Sequence, residues 1–299
     1  MVRDPRNDAK LDVGEGMISV LVPSRNERFL EQTVNDLLVK AAGAIEIIVN
    51  LDGYRPETVT EDKRVTYLYQ PTPIGMRAGI NACVAVARGE YLMKSDAHCM
   101  YEPGYDLKLA AECDDNWIVI PRRYRLDGAT WQRRRFAPLD YHYLICPWSQ
   151  KEFTMQNTIW QQRDRARASV LLDDTMTFQG SCWFMTAEHF HKRLGGLELK
   201  PYWGWEQEPQ EIGNKTWLSG GRVVVNKNVW YAHLHKGHLW GRMYPMDWRG
   251  VMEGHRYSTI YWLRNKWPGQ IHPFSWLVEK FWPIPTWMEG WQELEIPND

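Results

Sequence analysis

The chain has 299 residues, of which 44% are hydrophobic and 24% charged, with a net charge of −1. That composition is globular and long enough for one large or two small domains. The near-neutral balance excludes a generally basic nucleic-acid coat and leaves local patches open. Residues 17–22 (MISVLV) form an apolar, β-branched run that Pro23 ends, the pattern of a buried parallel strand. Ser24, Arg25, Asn26 and Glu27 make the loop after it. Leu30, Val34, Leu37, Leu38 and Ala41 recur at helical spacing, with Gly43 as a C-cap. Residues 45–50 read as a second strand ending at Asp52-Gly53, and 65–69 as a third. A helix over 76–88 follows Pro73-Ile74-Gly75, and Gly89 closes it. Residues 91–98 (YLMKSDAH) are the strand and strand end on which the rest depends. Strand, helix, strand, strand, helix, strand predicts an α/β fold with a mostly parallel sheet, whose ligands sit beyond the strand carboxyl ends.

Every chemically informative residue of this half lies at such an end: Asn26 and Glu27, Asp52, then Asp96 and His98. Residues two apart on a strand point the same way, so Asp96 and His98 can share one divalent cation. Carboxylate plus imidazole suits Mn²⁺ better than Ca²⁺. There is no GxGxxG after the first strand and no GxxxxGK[ST], so dinucleotide and P-loop readings lack their phosphate cradle.

Downstream, a short helix is expected over 106–115 and a strand over 118–121. An irregular basic segment then carries Arg122, Arg123, Arg125, Arg133, Arg134 and Arg135 among aromatic residues. Those arginines read in three ways: a solvated loop snorkelling over aromatic surface, a clamp on a donor diphosphate, or a surface for a charged acceptor. Helical spacing returns over 158–168. Residues 178–185 read as a strand, followed by a helix that Gly195-Gly196 ends. The acids Glu206, Glu208 and Glu211 precede a helix over 212–218, and a strand covers 222–226. His233 and His235 lie just beyond. From Gly237 the chain is aromatic, with helices expected over 257–265 and 273–281; many of the chain's 17 Trp lie here.

The set SVLVPSRNE, IVNLDG, Gly75-x-Arg77 and Asp96-Ala97-His98 resembles the nucleotide-binding half of a GT-A fold, family-2-like glycosyltransferase. The Asp-x-His form is similar to that of the polypeptide N-acetylgalactosaminyltransferases. So is the later layout of Trp203-Gly204, clustered acids, a helix ending at Gly220-Gly221, and a late His. The resemblance implies a metal-dependent enzyme that uses a UDP-sugar with Mn²⁺ or Mg²⁺. It implies Pro23, Ser24, Asn26, Glu27, Asp52, Arg77 and Asp96 as nucleotide-sugar contacts, and Asp96, His98 and His233 as metal ligands, with His235 the alternative third ligand. Glu208 is the nearest match for the site carboxylate, Glu211 for a second acid, and Glu206 fits if two residues are extra. Gly180 and Trp205 fall on the acceptor side, with Arg133, Arg134 and Arg135 as candidate acceptor contacts. The combined pattern also looks like glycosyltransferases encoded by tailed phages, some of which decorate hydroxymethylated pyrimidines in DNA.

The expectation is therefore a catalytic GT-A domain over 1–236 and an aromatic-rich extension over 237–299. The acceptor hydroxyl is that of 5-hydroxymethylcytosine or a related base in phage DNA, or else belongs to a protein or saccharide. Two other classes remain open, a non-catalytic sugar-binding module and a nucleotidyltransferase. Five scattered Cys without CxxC read as free thiols in a reducing compartment. A polar N-terminus and the lack of an apolar run near the roughly 18 residues of a membrane span point to a cytoplasmic location, in the host if phage-encoded.

Overall fold

Apolar, β-branched runs set up the first half of the sheet. The computed structural model describes residues 14–202, 206–242 and 244–298. Strand β1 (Gly14–Ser24), helix α1 (Leu30–Lys40), β2 (Ile45–Asp52), β3 (Val65–Gln70), α2 (Met76–Val86) and β4 (Gly89–Ser95) follow in that order. β1 runs parallel between β2 and β4, and β3 runs parallel outside β2. β2 is buried along its whole length, as a strand covered on both faces must be. Alternate residues of β1 serve opposite faces: Val20 and Val22 join one hydrophobic cluster and Leu21 the other.

The remaining elements are β5 (Cys99–Tyr101), α3 (Tyr105–Ala110), β6 (Trp117–Asp127), β7 (Gln132–Arg133), β8 (His142–Leu144), β9 (Asn157–Ile159), α4 (Gln161–Ala166), β10 (Leu172–Asp174), β11 (Cys182–Thr186), α5 (Glu208–Leu218), β12 (Arg222–His233), α6 (Gly237–Trp240), α7 (Trp248–Leu263) and α8 (Phe274–Lys280). β11 runs antiparallel to both β4 and β6, and so joins the parallel half to the pair β6 and β12, themselves parallel. The order across the sheet is β10-β12-β6-β11-β4-β1-β2-β3.

Several expected boundaries shift, each for a physical reason. The basic segment is not wholly irregular: Arg122, Arg123 and Arg125 belong to β6, because β12 continues past Asn226 and pairs with them. Pro121 has no N–H to give a ladder, and it lies opposite Asn226, where the pairing shifts register. Beyond that irregularity, residues 230–233 pair with 122–125, and residues 231–233 also with β5 on the other side. Lys227 and Asn228 interrupt the apolar run of β12, which is why the sequence suggests an earlier end. Of the helix expected over 158–168, residues 158 and 159 belong to strand β9, and the helix after β11 is a π-helical turn at His189–Leu194. α1 ends at Lys40, not Gly43: the Ala42 and Gly43 N–H groups donate instead to Asp106.

Many of the C-terminal aromatic residues pack inward, while Trp248 and Trp282 stay exposed. Trp262, Trp267, Phe274, Trp287 and Trp291 share a single cluster with Phe178, Trp183 and Trp217. Trp287 Nε1 donates to the Leu144 carbonyl at 2.6 Å. Among the described residues, no helix is long and apolar enough to cross a membrane.

Candidate metal and nucleotide-sugar site

Three strand ends and one strand extension build the site. β4 delivers Lys94 and Ser95, and the turn after it carries Asp96, whose N–H donates to the Ser181 carbonyl at 2.8 Å. His98 immediately precedes β5. Because β5 pairs with the far end of β12, His233 stands opposite Cys99, and the Leu234 N–H donates to the His98 carbonyl at 3.1 Å. Sheet pairing thus unites residues 135 positions apart.

Asp96, His98 and His233 each turn one ligand atom toward the others, all within 4.8 Å. The two Nε2 atoms are 3.0 Å apart, and Asp96 Oδ2 lies 3.3 Å from His233 Nε2 and 3.7 Å from His98 Nε2. Adjacent ligands on one cation at about 2.1 Å stand roughly 3 Å apart, so the spacing fits a shared ion. The surroundings fit as well. Asp96 Oδ1 accepts from the Lys94 ammonium, leaving Oδ2 for the histidines. His98 Nδ1 faces Glu27 Oε2 at 3.1 Å, which leaves Nε2 as the free ligand atom, as in carboxylate–histidine–metal triads. Burial alone would raise the Asp96 pKa, but Lys94, His233 and His98 override it and hold the carboxyl well below its usual range. Burial pushes the His233 imidazole down to about 3 against the pull of Asp96, so it is a neutral donor at neutral pH. One carboxylate and two imidazoles suit Mn²⁺ or a similar divalent ion.

His235 is exposed, with its ring centroid 6.0 Å from that of His233. His233→Ala is therefore expected to weaken Mn²⁺ binding far more than His235→Ala in calorimetric titrations. Equal losses would mean that the third ligand is misassigned.

A profile described as "Glycosyl transferase family 2" matches residues 19–194, more than half of the chain. The chain belongs to glycosyl transferase family 2. None of the curated proteins matches it in sequence. Among solved structures, that of GalNAc-T7 with UDP, GalNAc and Mn²⁺ is similar with a TM-score of 0.70 and 17% identity, over 83% of this chain and 49% of that one. This chain thus spans about half the length of GalNAc-T7. The shared feature is the fold, which is GT-A.

In this family-2 chain, the other expected site residues fall into distinct groups. Glu208, at the start of α5, is buried against Gly180, where a Cβ would collide with its Oε2. Trp183 Nε1 donates to its other oxygen. Burial raises its pKa despite the pull of Lys94. Lys94, 1% exposed in its side chain, donates to Asp96 and to the Gly180 carbonyl, so one buried ammonium serves both the metal-site carboxylate and the neighbourhood of Glu208. Lys94 is not among the residues expected from the sequence. Its signal was a lysine in the apolar run YLMK, two residues from Asp96 and so on the same side of the strand.

Glu211 is placed differently from a substrate-facing acid. It is buried, bonded to Arg77, to Lys215 at 2.7 Å and to the Glu198 N–H at 3.1 Å. Arg77 holds Glu211, the Glu198 carbonyl and the Glu206 carbonyl, and lies over the Tyr202 ring at 3.9 Å. Glu206 is buried against Gly254 of α7. Asp52 accepts from the Ile74 N–H at 2.5 Å and from the Gly75 N–H, tying β2 to the entry of α2. Glu27 faces His98 and Lys236. Ser24 Oγ meets Tyr54 Oη at 2.5 Å, Pro23 is half-buried, and Asn26 is exposed with φ +48°. Arg122 is paired with Asp140 at 2.8 Å, and buried Arg123 meets His142 at 3.0 Å, so neither belongs to a basic surface. Arg133, Arg134 and Arg135 are exposed. Trp205 lies outside the described residues.

Proposed function

We propose that the protein transfers a sugar from a UDP-sugar to an acceptor hydroxyl, with Mn²⁺ or Mg²⁺ held by Asp96, His98 and His233. The observation that supports this most is the convergence of those three ligand atoms at the carboxyl end of β4 in a family-2 chain. A bound divalent ion would supply Lewis-acid stabilisation of the charge on the departing diphosphate. Asp96 keeps its charge toward that ion because Lys94 neutralises its far oxygen. Glu27 fixes the orientation of His98. Glu208, its pKa raised by burial, is the candidate to accept the proton of the acceptor hydroxyl or to orient it. Pro23, Ser24 and Asn26, at the end of β1, are the candidate contacts for the uridine. Asp52 shapes that end through its backbone bonds and remains a candidate contact through its unused lone pairs. Residues 1–236 form the catalytic part in this reading and 237–299 an extension sharing its core. The location is cytoplasmic.

The acceptor in this reading is 5-hydroxymethylcytosine or a related hydroxymethylpyrimidine in phage DNA. Its support is the exposed run Arg133–135, with Arg133 lying over Tyr124 at 4.2 Å and Trp230 at 5.0 Å. Cations beside aromatic rings can follow a phosphate backbone. The test is UDP release from a panel of UDP-sugars, with and without hydroxymethylated DNA. Stimulation by that DNA, weakened by salt, is expected. Replacing Arg133, Arg134 and Arg135 by Ala should flatten the salt dependence by up to about 0.9 for each duplex phosphate that is no longer neutralised. A peptide or saccharide that stimulates release where the DNA does not would overturn the DNA acceptor.

A further inference from the structure

Between α5 and α7 lies a buried polar junction. Gln207 is the N-cap residue of α5, one position before Glu208, with φ +58° and ψ 9°. An N-cap residue is ordinarily extended, and its side chain ordinarily bonds the free N–H groups of the first turn. Gln207 does neither. Left-handed backbone is unfavourable for a residue with a side chain, so a partner must hold it there. That partner is on α7: Gln207 Nε2 donates to His255 Nδ1 at 2.5 Å, and also to the Met155 carbonyl at 3.4 Å. An amide nitrogen only donates, so Nδ1 is the unprotonated ring nitrogen. Burial pushes the His255 pKa down to about 4, which keeps the imidazole neutral at neutral pH. Thr259, one turn further along α7, accepts from the Met155 N–H at 2.7 Å and donates to the His255 carbonyl at 2.8 Å. All three side chains are buried.

Among the described residues, the start of α5 is held from three sides. Arg77 of α2 donates to the Glu206 carbonyl at 3.1 Å. Trp183 of β11 donates to the Glu208 carboxylate, which packs on Gly180. The third side is α7, where Gln207 meets His255 and the Glu206 side chain packs on Gly254. The first two restraints come from the GT-A sheet and its helix, the third from the C-terminal extension. A carboxylate on the first residue of a helix moves with the backbone of its N-cap. Release of Gln207 from the left-handed region would re-aim the first turn of α5 and carry Glu208 away from Trp183 and Gly180.

We infer that His255, acting through Gln207, is a positioning residue for Glu208, which makes the C-terminal extension a working part of the sugar-transfer site. The inference rests on the glycosyltransferase reading, in which Glu208 takes the acceptor proton or orients the hydroxyl, and goes beyond it by assigning that geometry to α7.

The test compares the full-length wild type with His255→Leu, His255→Asn and Ile260→Ala. Leucine removes the acceptor, whereas the asparagine Oδ1 can stand where Nδ1 does. Ile260 is a buried core residue of α7, so alanine there loosens the helix without removing a member of the junction. UDP release is measured with the UDP-sugar that the wild type turns over fastest, with hydroxymethylated DNA or water as acceptor, and Mn²⁺ affinity is measured in parallel. His255→Leu should lower kcat roughly 10–100-fold, the scale of a small misplacement of a reacting group, with donor KM and Mn²⁺ affinity held within about twofold. His255→Asn should recover most of that loss. Ile260→Ala should lower the urea midpoint and leave kcat near the wild-type value. An unchanged kcat in His255→Leu, or an equal fall in Ile260→Ala, would overturn the inference. The indole ¹⁵N–¹H resonance of Trp183, assigned with Trp183→Phe, reads the same claim without turnover. It should shift in His255→Leu and return in His255→Asn, while that of Trp287, bonded to the Leu144 carbonyl, stays in place. If the wild type turns over no UDP-sugar, the glycosyltransferase reading falls. A Trp183 resonance unmoved in His255→Leu would then discard the tether as well, and a shifted one would keep it.

Discussion

Asp96→Ala is expected to lower sugar transfer by roughly 10²–10⁴, the scale of several kcal/mol of lost transition-state stabilisation. His98→Ala should act similarly. Both residues sit in the turn that follows β4, and their side chains are 21% and 14% exposed, so the core of the sheet is untouched. Asp96 supplies the only carboxylate of the three-residue group. Without it, two imidazoles would remain with no anionic ligand, and Lys94 would lose the acid that its ammonium faces. Circular dichroism should show a folded protein in both variants. EDTA should reproduce the loss in the wild type, and added Mn²⁺ should reverse it. Undiminished transfer by Asp96→Ala would remove the metal assignment.

Lys94→Met is expected to cost about 3–5 kcal/mol of folding stability, the usual cost of removing one partner from a buried ion pair. Lys94 is 1% exposed in its side chain, and its ammonium lies between Asp96 and the surroundings of buried Glu208. Methionine keeps much of the volume but removes the charge, so Asp96 and buried Glu208 lose the ammonium that both feel. The measurement is the urea midpoint with constant slope, which isolates a stability change. The double variant Lys94→Met/Glu208→Gln should recover part of the loss, since residues in one network are not additive. An unchanged midpoint in Lys94→Met would show that its charge is not required by the fold.

The parallel half of the fold was legible because β1 and β2 are apolar β-branched runs and β4 a short apolar run around Leu92 and Met93, with punctuation at their ends. The Asp96-Ala97-His98 turn was legible for the same reason: a short polar motif at a strand end needs no long-range information. The expected position of His233 along the chain was readable, but not what brings it there. That depends on β12 continuing through Lys227 and Asn228 to pair with β5 and β6, a non-local event. Side-chain direction was the larger gap. Glu27, Asp52 and Arg77 occupy strand or helix ends as the motifs indicate. Yet Glu27 turns to His98, Asp52 to the Ile74 and Gly75 N–H groups, and Arg77 to Glu211. Chain position fixes where a residue stands, whereas the partner it finds is set by packing. Lys94 was missed on the same ground: a buried lysine inside a strand is interpretable only once its carboxylates are in view.

The most direct measurement is UDP release from UDP-sugars by the wild type, with Mn²⁺ and then with EDTA, beside Asp96→Ala. Turnover of at least one UDP-sugar that requires Mn²⁺, stops in EDTA and is lost in Asp96→Ala is the expected result. Turnover that persists in EDTA, or in Asp96→Ala, would contradict a metal site made by Asp96, His98 and His233.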